Sequence, residues 1–381
     1  MDKKFVMGIA AMAALTLVSC SSDDLDSFSD NSSKNEAISF DGYLGRSAVA
    51  VNGTRGSEET KETLKTKGFG VFGKYDAGDN KTSDPNFFKN QPVTYSGTKW
   101  TYSPLKYWPT QGEIDFLAYA PYVKDKTLNN TSFDFTVEKA AADQIDLLWA
   151  NATGQIKTNF EGTTKEKVKF LFKHALSRLG YTVKLSGNYS PDNATFTLKK
   201  ITLAGSPDGN TKAFYAKGTI DLAKTGTKEE LSKTNTATGL WTATSTADNK
   251  QNFPWFDASY TVASSTATHP DVPDSKSDYL FVIPQDFSEK IGEAGHQTEN
   301  PDKLYVIVEY DVTYKSGTKI TNKVYKKLPI KFEQGKAYML NLTIGLPIEF
   351  DVNVENTTGV GVEDWDEQPD NNIDSWDDIK H

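Results

Sequence analysis

One cysteine is all that 381 residues contain, and it stands at position 20. A lone thiol forms no internal disulfide, so stability has to come from buried apolar surface. Basic surplus is missing as well: the net charge is −9, which argues against a nucleic-acid partner and its positive footprint. The four histidines, His174, His269, His296 and His381, are scattered, and none has a partner at metal-ligand spacing. The sequence also lacks a G-x-S-x-G elbow and a phosphate loop, and the G-x-G-x-x-G letters at Gly68–Gly73 read as a buried strand flanked by glycines, not as a dinucleotide turn. A glycosidase-like carboxylate pair would hide among the many acids, but nothing singles one out. The expectation is a non-enzyme with no cofactor and no metal.

Only one long apolar run exists, from Phe5 to Val18, preceded by Lys3 and Lys4 and closed by Ser19-Cys20. It is too short for a stable transmembrane helix and has the shape of a removable secretory segment. A cysteine at the cut resembles a lipobox, which would acylate Cys20 and anchor the mature chain in lipid. The plainer alternative is an ordinary signal peptide with an incidental cysteine. The expected organisation is a signal peptide over 1–19 and a flexible acidic tether over 20–35. Two further units follow, over 36–161 and 162–381, the second ending in a C-terminal extension. Ser21-Ser22-Asp23-Asp24 resembles the acidic export signal of surface-exposed outer-membrane lipoproteins.

Arginine is scarce: of 42 basic residues only Arg46, Arg55 and Arg178 are arginines. Two of them lie close together near the mature N-terminus. Either this is chance, or the segment is meant for an arginine-specific protease. Arg55, within Asn52-Gly53-Thr54-Arg55-Gly56, has the small, polar context that proteolysis favours.

What is abundant is strand grammar. Aromatics make up 12% of the chain, threonine is frequent, and Gly, Asn, Asp and Pro recur at strand-length intervals. Helical periodicity is confined to Glu58–Lys67 and, more weakly, Glu229–Lys233. The fold class is therefore all-β, as sandwiches. Ile38, Phe40 and Leu44 share one face of an early strand. Gly68–Gly73 and Asp146–Ala150 read as buried runs. Val168, Phe170, Phe172 and His174 alternate, and Leu179, Tyr181, Val183 and Leu185 resume out of phase, which implies a bulge or break near 176–178. His174, in phase with apolar neighbours, reads as a hydrogen-bonded core histidine. Leu304–Tyr314 turns at Ser316-Gly317 into a partner strand through Val324 and Tyr325. The alternation from Tyr338 to Val354 is too long for one strand, and Gly345 and Pro347 divide it into two strands that form one apolar row.

Two binding possibilities remain open. Trp100, Tyr102, Tyr107 and Trp108 form either a sugar-stacking platform or ordinary strand and core aromatics. The acidic tail from Glu363 to Asp378 either holds a hard cation or is a solvated extension, and it lacks the spacing of a calcium loop.

Together these pieces resemble the fimbrillin-like (Mfa-like) proteins, pilus subunits made as lipoproteins. The resemblance rests on the early strand around Ile38 and Phe40, Thr54-Arg55, the Phe69–Phe72 strand, Asp115–Tyr122, Asp146–Ala150, Val168–Arg178, Tyr279–Gln285 and Gly335–Tyr338 leading into the closing strands and Trp365, in that order. It implies two transthyretin-like sandwich domains assembled by proteolytic strand removal and donor-strand exchange. The removable strand would carry Ile38, Phe40 and Leu44, with cleavage after Arg55 or Arg46. The donor would lie in the C-terminal extension, among Ile348, Phe350, Val352, Val354, Val360, Val362 and Trp365. Implied partners are other pilin subunits (self or related), the outer membrane through the lipid, and an arginine-specific protease. The implied role is a stalk or tip subunit of a surface fimbria serving adhesion. The alternative is a non-polymerising surface lipoprotein that binds a glycan or host ligand.

Overall fold

The computed structural model describes residues 37–44, 59–78, 84–157, 167–191, 194–224, 239–243, 246–268, 270, 279–291, 298–346 and 348–356. Over these residues the chain is nearly all β, with one α-helix, and its sheets enclose two apolar cores.

The chain first lays down β1 (Phe40–Leu44), α1 (Lys61–Lys67), β2 (Phe69–Asp76), β3 (Phe88–Tyr95), β4 (Trp100–Thr101) and β5 (Glu113–Ala120). β6 (Ser132–Thr136), β7 (Leu148–Gln155) and β8 (Val168–His174) follow. Helix α1 falls inside the stretch that carries helical periodicity. Thr60 caps its start, accepting from the Thr63 N–H. Gly68, at φ +68°, ends it with a backbone that other residues resist.

Seven of these strands form one sheet, ordered β1-β8-β7-β5-β2-β3-β4. Much of it is covered on both faces. On β5, Phe116, Ala118 and Ala120 point into the first core, while Leu117 and Tyr119 point into the second. Leu148 and Trp149 divide in the same way on β7, as do Val71 and Phe72 on β2. This is why those segments read as unbroken apolar runs: a strand buried on both sides has no polar face to show.

From Ser177 the chain adds β9 (Ser177–Leu185), β10 (Ala194–Ala204), β11 (Phe214–Tyr215), β12 (Lys217–Asp221), β13 (Trp241–Thr242), β14 (Lys250–Gln251) and β15 (Phe253–Val262). Next come β16 (Leu280–Val282), β17 (Gln285–Asp286), β18 (Lys290–Ile291), β19 (Thr298–Glu299) and β20 (Tyr305–Tyr314). The series ends with β21 (Lys319–Lys327), β22 (Lys331–Phe332), β23 (Ala337–Gly345) and β24 (Glu349–Asn356). The sheets β15-β10-β20-β21 and β16-β9-β23-β24 enclose the larger core between them.

The break expected near 176–178 is a handover between cores rather than a bulge within a sheet. β8 lies beside β7 and β1, yet β9, only two residues later, pairs with β16 and β23. The chain also crosses in the other direction, since β6 pairs with β12 and not with the seven-stranded sheet. The division expected between residues 161 and 162 therefore falls between β7 and β8, neighbours in one sheet.

The long C-terminal alternation does divide in two. β23 ends at Gly345 and β24 begins at Glu349, and the two fold back as an antiparallel hairpin. Leu340 faces Val354, Leu342 faces Val352 and Ile344 faces Phe350. The apolar side chains stand side by side on one face of the hairpin, not end to end in a single row.

Candidate functional site

β1 is the edge strand of the seven-stranded sheet and pairs with β8 alone, in parallel, from Phe40 opposite Val168 to Leu44 opposite Phe172. Its alternation places Ile38, Phe40 and Leu44 in the core at 1%, 1% and 3% exposure. The Phe40 ring lies 5.5 Å from Phe88, 5.3 Å from Tyr102, 5.4 Å from Phe116 and 5.7 Å from Phe170. Burying three such side chains contributes roughly 1.5–3 kcal/mol each before entropy costs.

The outer side of β1 is roofed by the segment from Trp100 to Trp108. Ile38 N–H donates to the Lys106 carbonyl at 2.8 Å, and Ala37 bridges to Tyr107. The Tyr102 hydroxyl donates to the Ile38 carbonyl at 2.7 Å, and the Trp100 indole N–H donates to the Gly42 carbonyl at 3.2 Å. Burial pushes the Tyr102 hydroxyl up to about 12, so it remains a donor at any physiological pH. Asp41, on the outward face, has its carboxyl raised by burial, against the opposing pull of Lys167 and Lys169.

The aromatic platform is not formed. Trp100 and Trp108 are core side chains at 8% and 4% exposure, and Tyr102 is half-buried on the strand backbone. Of the four only Tyr107, at 49%, is exposed. Trp100, Tyr102 and Tyr107 each contact the β1 segment, while Trp108 packs on Phe116 of β5.

A buried charged cluster lies where the two cores meet, and only one member was legible beforehand. His174 is a core side chain, with its Nδ1 3.0 Å from Asp146 Oδ1. The Glu59 N–H donates to Asp146 Oδ2 at 2.8 Å, and the Glu59 carboxylate pairs with Lys67. Burial raises the Glu59 carboxyl above the ordinary range, an effect the Lys67 contact only partly offsets. Glu59 lies in the helical stretch and Asp146 opens a buried run, and neither pattern names the partner its acid meets.

The proposed donor residues divide. Ile348 is exposed, Phe350 and Val354 are half-buried and Val352 is buried, all in or beside β24 on its own sheet. Val360, Val362 and Trp365 lie outside the described residues, as do Cys20, Arg46 and Arg55. Among the described residues no group of His, Cys, Asp and Glu is placed to hold a metal ion, and no helix is long and apolar enough to cross a membrane.

A fimbrillin-like family model matches residues 54–365. The chain belongs to the fimbrillin-like family. This fimbrillin-like chain is 29% identical to fimbrium subunit Fim1C of Phocaeicola vulgatus over 231 residues, 54% of this chain and 59% of that protein. The match thus spans less than two thirds of that relative. The crystal structure of a fimbrial protein from Bacteroides vulgatus shares the fold, with a TM-score of 0.56 at 21% identity. That alignment covers 84% of this chain and 99% of the other.

Proposed function

We propose that this fimbrillin-like chain is a structural subunit, stalk or tip, of a cell-surface fimbria that serves adhesion. It reaches the outer membrane as a lipoprotein acylated at Cys20. An arginine-specific protease cuts after Arg55 or Arg46, and the segment bearing β1 leaves. A strand from another pilin subunit then occupies the vacated groove. The observation that carries this reading is β1 itself, an edge strand with a single strand neighbour that nonetheless fills the centre of an aromatic core. Losing it would expose the Phe40 site and the β8 backbone together, a surface that strongly favours an added strand.

Incubating the purified precursor with an arginine-specific protease tests the reading. The expected result is one N-terminal cut, after Arg46 or Arg55, followed by a ladder of polymers on non-boiled gels. Cutting that leaves a stable monomer with β1 still bound would refute it.

A further inference from the structure

The groove beneath β1 has a shape requirement at one position. The inward residues of this strand are Ile38, Phe40, Gly42 and Leu44, so the third has no side chain. A Cβ at Gly42 would lie 2.8 Å from Phe69 Cε1 and 3.4 Å from Phe172 Cε2. Real Cβ atoms do not approach that closely, so Phe69 would have to move. It is 0% exposed and wedged between Trp100 at 4.8 Å, Phe172 at 5.2 Å and Phe170 at 5.7 Å. The strand is also tied at this position, because the Trp100 indole N–H donates to the Gly42 carbonyl. The glycine is thus fitted to the ring rather than to a turn, and a packed interior resists the added methyl.

The rest of the chain bears on this requirement. Ile348-Glu349-Phe350-Asp351-Val352-Asn353-Val354 reproduces the order of Ile38-Ser39-Phe40-Asp41-Gly42-Tyr43-Leu44, with isoleucine, phenylalanine and aspartate in the same places. It differs where the requirement applies, with Val352 in place of Gly42. After Ala337 the glycines are Gly345, Gly359 and Gly361. None stands in an apolar-x-apolar-x-Gly-x-apolar frame, read in either direction.

We infer that Phe69 is a size filter in the strand groove, and that the groove takes a strand from a different subunit whose sequence reads apolar-x-apolar-x-Gly-x-apolar, not one from a second copy of this chain. This rests on the proposed replacement of β1 and names its partner. The filter excludes the chain's own near-match and so keeps identical subunits from capping one another.

The test uses the full chain after arginine-specific cleavage and labelled synthetic peptides, with binding read by fluorescence anisotropy. A peptide of residues 37–44 binds, and the same peptide with Gly42→Val binds at least about tenfold more weakly. Peptides of residues 348–354 and 357–365 fail to compete, while 348–354 with Val352→Gly competes. Phe69→Leu in the protein restores binding of the Gly42→Val peptide. Equal binding of the first two peptides overturns the filter, and tight binding of either unaltered C-terminal peptide overturns the choice of partner. A folded, cut protein that binds no peptide at all refutes strand replacement itself. In the uncut chain, Gly42→Val should lower the unfolding midpoint and Phe69→Leu should recover part of the loss. No loss from Gly42→Val there removes the filter whatever becomes of assembly.

Discussion

β1 and β24 are both edge strands with nearly the same apolar spacing, yet the structure holds them in opposite ways. β24 is attached closely, joined to β23 by a short turn and paired with it from Glu349 to Asn356. Its grip on the core is shallow, with Ile348 67% exposed and Phe350 half-buried. β1 is gripped deeply at every inward apolar position. It pairs only with β8, from Phe40 to Leu44, a shorter ladder than the one β24 makes with β23 from Glu349 to Asn356. Depth of burial and strength of attachment are separate quantities. Of these two edge strands the one buried more deeply is the one with the shorter ladder.

The largest effect should come from Phe40→Ala. It empties the centre of the first core and should cost about 3–5 kcal/mol in guanidinium unfolding. Phe350→Ala, on the half-buried strand, should cost less than half as much, and equal losses would erase the contrast. Tyr102→Phe removes the hydroxyl that donates to Ile38. It should cost about 1 kcal/mol and speed hydrogen exchange at the Ile38 amide, without touching amides on β24. Lys326 pairs with Asp351 of β24 on the surface, so Lys326→Ala should change stability by well under about 1 kcal/mol.

Glu59 sharpens the comparison through pH. Its carboxyl is raised in the folded chain, so the native state holds that proton more tightly than the unfolded state does. The resulting stabilisation is complete below the ordinary carboxylate range and is lost as pH rises through the raised value. Glu59→Gln should therefore flatten the decline toward neutral pH and leave the variant more stable there than the parent. The measurement is a series of unfolding midpoints from acidic to neutral pH, and an unchanged slope would remove Glu59 as its source.

Much of this was legible because strands announce their faces. The apolar phase of Ile38, Phe40 and Leu44, the hairpin at Ser316-Gly317, the division at Gly345 and Pro347, and the buried His174 all follow from local pattern. What pattern does not carry is partnership. The phase break after His174 is the same signal whether a strand bulges or leaves for another sheet, and only the neighbours of β9 decide. The roof over β1 left two readings open because Trp100, Tyr102 and Trp108 occupy an aperiodic stretch, where nothing in the order of residues says which way a ring points. Phe69 and Gly42, far apart in sequence, each look ordinary alone.

The parallel ladder of β1 on β8 has a mechanical consequence. A guest lying there and tugged along its length would load all its rungs at once instead of unzipping them one by one. With only Ala175 and Leu176 between β8 and β9, that tension would pass into the larger core without slack.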